Sequence, residues 1–144
     1  MAKNKLTAQY KGQTFTRTTD RVYTHIVVAR YSHEHAVSQI AAYAADQIKT
    51  NFAYYLKVAA GTSGHTQSES QVQRAKEYVE GGLEASIARL AAKMTAEIAD
   101  RKAKGFYDKW NVIGWCGRPD LATKLLAQTS APYYAEVHIV PVDA

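Results

Sequence analysis

Apolar residues recur at spacings of three and four along two long stretches of this chain. The first runs from His33 to about Ala60 through Val37, Ile40, Ala44, Ile48, Phe52, Tyr55 and Ala59. The second runs through Val72, Ala75, Val79, Leu83, Ile87, Leu90, Met94 and Ile98. That period is the mark of an amphipathic helix. The ends carry helix punctuation. Ser32 is a fitting N-cap and Gly61-Thr62-Ser63-Gly64 a stop. Ser68-Glu69-Ser70-Gln71 forms a capping-box pattern, and Lys102-Ala103-Lys104-Gly105 puts cations and a glycine at the far end. Gly81-Gly82 interrupts the second stretch, at about 1 kcal/mol per glycine relative to alanine, and implies close packing or a bend. At 1.5 Å per residue the helices span roughly 40 Å and 50 Å. Both exceed the width of a domain of 144 residues, so part of their apolar seam is expected to meet another copy of the chain.

The flanking segments change period. Gln13 to Arg17 and Val22 to Tyr31 are rich in Thr, Val, Ile, Tyr and Phe, which predicts two strands with Thr18 to Arg21 as the turn. Near the end of the second strand both faces are apolar, so it is expected to be central and covered on both sides. Tyr107 to Cys116 predicts a third strand. Gly117-Arg118-Pro119-Asp120 opens a short helix running to about Gln128, with proline in its first turn. Tyr133 to Val142 predicts a fourth strand, ending at an edge because of Pro141. The order β-β-α-α-β-α-β predicts an α+β fold: a small antiparallel sheet of about four strands packed with two long helices, as a single domain over residues 1–144.

Composition narrows the function classes. Hydrophobic residues make up 47% of the chain and charged residues 22%, which is a globular balance. No apolar run is long enough to cross a membrane, and Met-Ala-Lys-Asn-Lys has no apolar signal region. The single cysteine, Cys116, excludes an internal disulfide framework and a cysteine-built zinc site. These features lead to an expectation of a cytoplasmic protein. The net charge is +5, and residues 1–31 alone hold six Lys and Arg against one Asp. Such a local excess marks an anion site or a nucleic-acid arm. The plainer alternative is an edge hairpin protected from aggregation by its charges.

No metal or catalytic constellation stands out. His33-Glu34-His35 lacks the i, i+4 histidine spacing of a helix-borne metal site and reads as a helix start. Cys116 has Arg118 and a helix start nearby, yet no phosphate-cradling loop follows it, and a buried inert thiol is the default. Catalytic residues, metals and cofactors are therefore expected to be none. Two ligand-binding candidates remain. In the third strand and the turn after it lie Lys109, Trp110, Asn111, Trp115, Arg118 and Asp120. Indole can stack a purine, asparagine can bond adenine, arginine can hold phosphate through two parallel bonds, and aspartate can accept from ribose hydroxyls. The alternative is that both tryptophans are core and that Arg118 and Asp120 frame a turn. The second candidate is the first hairpin, where Arg17, Arg21, Tyr23 and His25 combine guanidinium forks and rings with Thr14, Thr16, Thr18, Thr19 and Thr24.

The segment Gly12-Gln13-Thr14-Phe15-Thr16-Arg17-Thr18-Thr19-Asp20-Arg21-Val22-Tyr23-Thr24-His25 resembles the N-terminal region of small phage-encoded proteins. With the two long helices and C-terminal strands, the layout resembles the Thoeris anti-defence sponge proteins of the first type. The resemblance implies a non-enzymatic sponge that sequesters cyclic nucleotide immune signals. Its ligands would be cyclic ADP-ribose isomers and, in hexameric members, cyclic trinucleotides. It would act in the host cell's cytoplasm as a homo-oligomer, dimer or hexamer. Nanomolar affinity, about −12 kcal/mol, would demand almost complete enclosure of a ligand of ~35 non-hydrogen atoms. A subunit boundary supplies that most easily. The alternatives are a small basic nucleic-acid-binding protein, a protein-directed inhibitor of a host enzyme, and a nucleotide hydrolase.

Overall fold

The computed structural model describes residues 3–129 and 132–143. The elements run β1 (Asn4–Tyr10), β2 (Gln13–Thr19), β3 (His25–Tyr31), α1 (His33–Ser38), α2 (Ile40–Ala59), α3 (Glu69–Val79), α4 (Leu83–Ala103), a 3-10 turn (Phe106–Asp108), β4 (Asn111–Cys116), α5 (Pro119–Gln128) and β5 (Tyr134–Pro141). The fold is α+β with antiparallel strands. The strands differ in number and grouping from the single four-stranded sheet that the sequence suggests. Among the described residues there are five, in a pair β1-β2 and a three-stranded sheet of order β4-β3-β5. The chain forms two compact units, one of residues up to 35 and from 101 onward, the other of residues 36–100.

The first unit contains all five strands. Lys11 and Gly12 both have positive φ, 47° and 81°, which is what a two-residue hairpin turn needs to match strand twist. The hairpin pairs Tyr10 with Gln13, Ala8 with Phe15 and Leu6 with Arg17. β1 lay hidden in the sequence because lysines flank its alternation of Leu6, Ala8 and Tyr10. Its presence extends β2 to Thr19 and moves the following loop to residues 20–24, so Val22 is 78% exposed rather than in a strand.

β3 is central, as its two apolar faces require. Ile26 and Val28 meet Ala8, Trp110 and Val140, with Tyr10 and Phe15 of the hairpin packed alongside. Val27 faces the other way, onto Cys116 and Ala122, with Leu125 of α5. The order of layers is hairpin, sheet, helix. A bulge lies opposite Val27 and Val28, which pair with Gly114 and Val112 and leave Ile113 without a partner. Gly114 lets α5 come close, since a Cβ there would stand 2.8 Å from a Leu125 methyl. The expected strand start at Tyr107 is instead the 3-10 turn, set by Gly105 at φ 82°.

The second unit is helical. Ile40, Ala44, Ile48 and Val58 of α2 are buried, as is Ala75 of α3. α2 and α3 lie along one another, and Ala75 is the wholly buried residue on the α3 side. The capping box at Ser68 is formed in both directions, to the Gln71 backbone N–H at 3.2 Å and from the Gln71 side chain at 2.8 Å. The first long helix is interrupted at Gln39, and the second stops at Val79 and restarts at Leu83. Gly81 and Gly82 take φ of 78° and 93°, which an α-helix cannot accommodate. The freed carbonyls of α3 are then taken up from α4. Ser86 Oγ donates to the Tyr78 carbonyl at 2.6 Å, and Arg89 donates to the Glu77 and Tyr78 carbonyls at 3.1 Å. No helix among the described residues is long and apolar enough to cross a membrane.

Candidate functional site

β2 alternates, and its inward row runs Gln13, Phe15, Arg17 and Thr19, opposite Tyr10, Ala8, Leu6 and Asn4. Phe15 packs on the core, so Arg17 continues that row past the apolar region toward the sheet end. Its guanidinium carbon stands 4.7 Å from the centroid of Tyr23. Tyr23 in turn lies 6.2 Å from Trp115 of β4, tilted by 60°. A cation and two rings thus form one row. Such a contact contributes about 0.5–1 kcal/mol at an exposed site.

The loop carrying Tyr23 is tied at both ends. Thr19 is buried, and its hydroxyl accepts from the Arg21 backbone N–H at 3.1 Å. Thr24 donates its N–H to the Cys116 carbonyl, and its carbonyl accepts from Val142, both at 2.9 Å. His25 Nδ1 is 2.8 Å from the Thr24 hydroxyl. The Val22 carbonyl lies 3.4 Å from where a Cβ on Gly117 would be, so the loop runs against the turn that opens α5. That brings Arg118 and Asp120 to the same end as Arg17, Arg21, Tyr23 and His25. The Arg118 Nε is 3.2 Å from an Asp120 carboxylate oxygen, with both side chains 67% exposed. An ion pair so exposed is worth at most about 1 kcal/mol, and a stronger anion can displace it.

Lys109, Trp110 and Asn111 lie elsewhere, at the opposite end of β4. Trp110 is 7% exposed and belongs to the core, where it meets Tyr10 edge-on at 4.9 Å. It has no free face for a purine. Its backbone is gripped by Gln13, whose side chain accepts from the Trp110 N–H at 2.7 Å and donates to its carbonyl at 3.1 Å. The Asn111 amide donates to the Ala29 and Lys109 carbonyls, both at 3.4 Å, so it serves the backbone. Lys109 is exposed. The ten residues singled out from sequence therefore divide into seven at one end of the sheet and three at the other.

Beside Trp110 stands a group that the sequence did not single out. Arg30 and Glu136 are paired across β3 and β5, with 2.8 Å between guanidinium and carboxylate. The other Glu136 oxygen is 3.0 Å from His138 Nε2. The hydrogen bond with His138, then that with Arg30, holds the Glu136 carboxyl below the usual range. Tyr10 and Trp110 flank the His138 ring at 5.6 Å and 5.3 Å. The clue in the sequence is only the alternation Glu136, Val137, His138; the cross-strand partner depends on register.

Cys116 is buried, and burial pushes its thiol up. His33 and His35 lie on Tyr107 and Tyr133, and the Ser32 hydroxyl accepts from the His35 N–H as an N-cap should. The described residues contain no group of three or more His, Cys, Asp or Glu that could hold a metal ion. No family model, curated protein or solved structure matches this chain.

Proposed function

We propose that this protein is a non-enzymatic sponge for cyclic nucleotide signals, with cyclic ADP-ribose isomers as its first ligands, acting in the cytoplasm of a host cell. The observation that carries this reading is the row Arg17–Tyr23–Trp115, with Arg21 and Arg118 exposed at the same sheet end. A cyclic ADP-ribose presents a pyrophosphate and a purine. Arg17 and Arg21 suit the pyrophosphate through forked N–H donors. The Tyr23 and Trp115 rings suit the purine. Arg118 can exchange Asp120 for a phosphate oxygen, and Asp120 is then released toward a ribose hydroxyl. The resemblance to the Thoeris anti-defence sponges supports the same reading.

One copy leaves Arg17 and Arg21 open to solvent. Tight binding of a ligand this size requires enclosure. A second copy closing over the sheet end supplies it, so a dimer or hexamer is part of the proposal. The test is thermal unfolding with cyclic ADP-ribose isomers, followed by recovery of the ligand. A large stabilisation with unchanged ligand is expected, reduced in Arg17→Ala and Tyr23→Ala. No stabilisation, or a chemically altered ligand, contradicts the proposal.

One observation favours a second reading, nucleic-acid binding. The outer face of the β1–β2 hairpin is polar, with Lys5, Gln9, Thr14, Thr16 and Thr18 all exposed. Two-stranded ribbons fit the major groove. This reading predicts DNA or RNA affinity that falls steeply with salt. Absent or salt-independent binding removes it.

A further inference from the structure

A cleft of about 290 Å³ opens between α2 and α3 in the helical unit. Its walls follow from helix spacing. Gln71, Arg74 and Tyr78 stand at i, i+3 and i+7 on α3 and so share a face. Ala75, wholly buried beside them, lets α3 approach α2. Tyr78 then rests on Tyr55 with ring centroids 4.2 Å apart and planes at 37°. Burial pushes the Tyr78 phenol up, with Tyr55 adding to the shift. Tyr54 stands at the mouth, half exposed and set at a steep angle to Tyr55.

The polar groups of the cleft are few and distinct. Gln71 lends its side-chain oxygen to the Ser68 N–H at 2.8 Å, so its NH2 is the end left for a ligand. Arg74 is exposed and forms no ion pair among the described residues. The helical unit as a whole carries six Lys and Arg against seven Asp and Glu. Any preference for an anion must therefore come from Arg74 itself. Size decides the rest. At the ~30 Å³ that a water takes up in the liquid, the cleft displaces about ten waters. That is the lower edge of the range of ligand pockets, roughly 300–1,000 Å³. A ligand that fills it has the size of one ring with one head group.

We infer that this cleft binds a small anion carrying a single aromatic ring, an aryl carboxylate or aryl phosphate. The ring lies on the Tyr55–Tyr78 wall beneath Tyr54, and the anionic group takes the Arg74 fork with the Gln71 NH2 beside it. The site shares no residue with the sheet end, so the two stand or fall separately.

The test is a titration of the full chain, followed by NMR, with four probes: phenyl phosphate, benzoate, inorganic phosphate and benzyl alcohol. At least one aryl anion is expected to saturate the protein. Inorganic phosphate, which lacks the ring, and benzyl alcohol, which lacks the charge, should bind about tenfold more weakly or worse. The stronger of the two aryl anions identifies the head group. Arg74→Gln and Tyr54→Ala, both at exposed positions, should each lower aryl-anion affinity by about tenfold. Their circular dichroism should match the parent, and Lys93→Gln, exposed on α4 and outside the cleft, should bind as the parent does. The inference is overturned if neither aryl anion saturates, if inorganic phosphate binds as well as phenyl phosphate, or if Arg74→Gln leaves binding unchanged.

Discussion

The sheet unit and the helical unit bury their residues in different ways. In β3 four consecutive residues, Ile26 to Ala29, are wholly buried, because the hairpin covers one face and α5 the other. In the helical unit no two consecutive residues are buried; Ile40, Ala44, Ile48, Val58, Ala75, Ser86 and Ile98 stand singly. Charge divides with burial. The sheet unit carries twelve Lys and Arg against six Asp and Glu, while the helical unit is nearly neutral. A sheet covered twice makes a continuous core of its own. A helical unit whose buried residues stand singly makes lines of contact, and side chains such as Tyr54 stay exposed. The sheet unit therefore holds the larger core and carries the positive field. The helical unit keeps a cleft between α2 and α3.

The comparison can be broken most forcefully at β3. Ile26→Ala is expected to cost about 2–5 kcal/mol in chemical denaturation, since a cavity opens between layers that cannot collapse. A loss of under about 1 kcal/mol would mean that the sheet core is not what the burial implies. Next comes the α3–α4 corner. Ser86→Ala removes the hydroxyl donor to the Tyr78 carbonyl, which keeps Arg89, and should cost about 0.5–1.5 kcal/mol. Hydrogen exchange sharpens this: the loss should appear as faster exchange near residues 79–90 and not in β3. Uniform acceleration would show the two units to be one cooperative body.

A smaller effect is expected at Glu136. Its folded carboxyl lies below the ordinary range, so the unfolded chain binds the proton more readily. The stabilisation is present above the unfolded value of about 4.3 and is lost as pH falls through the lower folded value. Glu136→Gln should flatten the fall in stability with acid. Equal slopes in parent and variant would remove the pairing with His138 and Arg30 from the account. Smallest in energy is Cys116. Iodoacetamide should react slowly with the folded chain near neutral pH and rapidly after denaturation, because burial both shields and protonates the thiol. Fast labelling of the folded protein would place the α5 face of the sheet in exchange with solvent.

Features written in neighbouring residues were legible in the sequence. The capping box at Ser68 and Gln71, the glycine stop at Gly105, the proline start at Pro119 and the doubly apolar β3 all depend on local chemistry. Features set by pairing were not. β1 shows itself only through its partner β2. The two tryptophans could not be told apart from spacing because the bulge at Ile113 resets the alternation. Trp110, Val112 and Trp115 all turn toward the hairpin, and Ile113 turns toward α5 with Cys116. Depth then separates them: Trp110 is sealed under Tyr10, and Trp115 reaches the end where Tyr23 lies. The Arg30 partner of Glu136 was hidden for the same reason, since register supplies it, whereas His138 lies two residues along the same strand.

The central claim is that guanidinium groups and rings at one end of the sheet retain a cyclic nucleotide intact. Native mass spectrometry of the full chain with a cyclic ADP-ribose isomer tests it most directly. The account predicts an oligomer carrying stoichiometric ligand, released at its original mass on denaturation and absent from Arg17→Ala. A bare monomer under the same conditions, or a released ligand of altered mass, would contradict it.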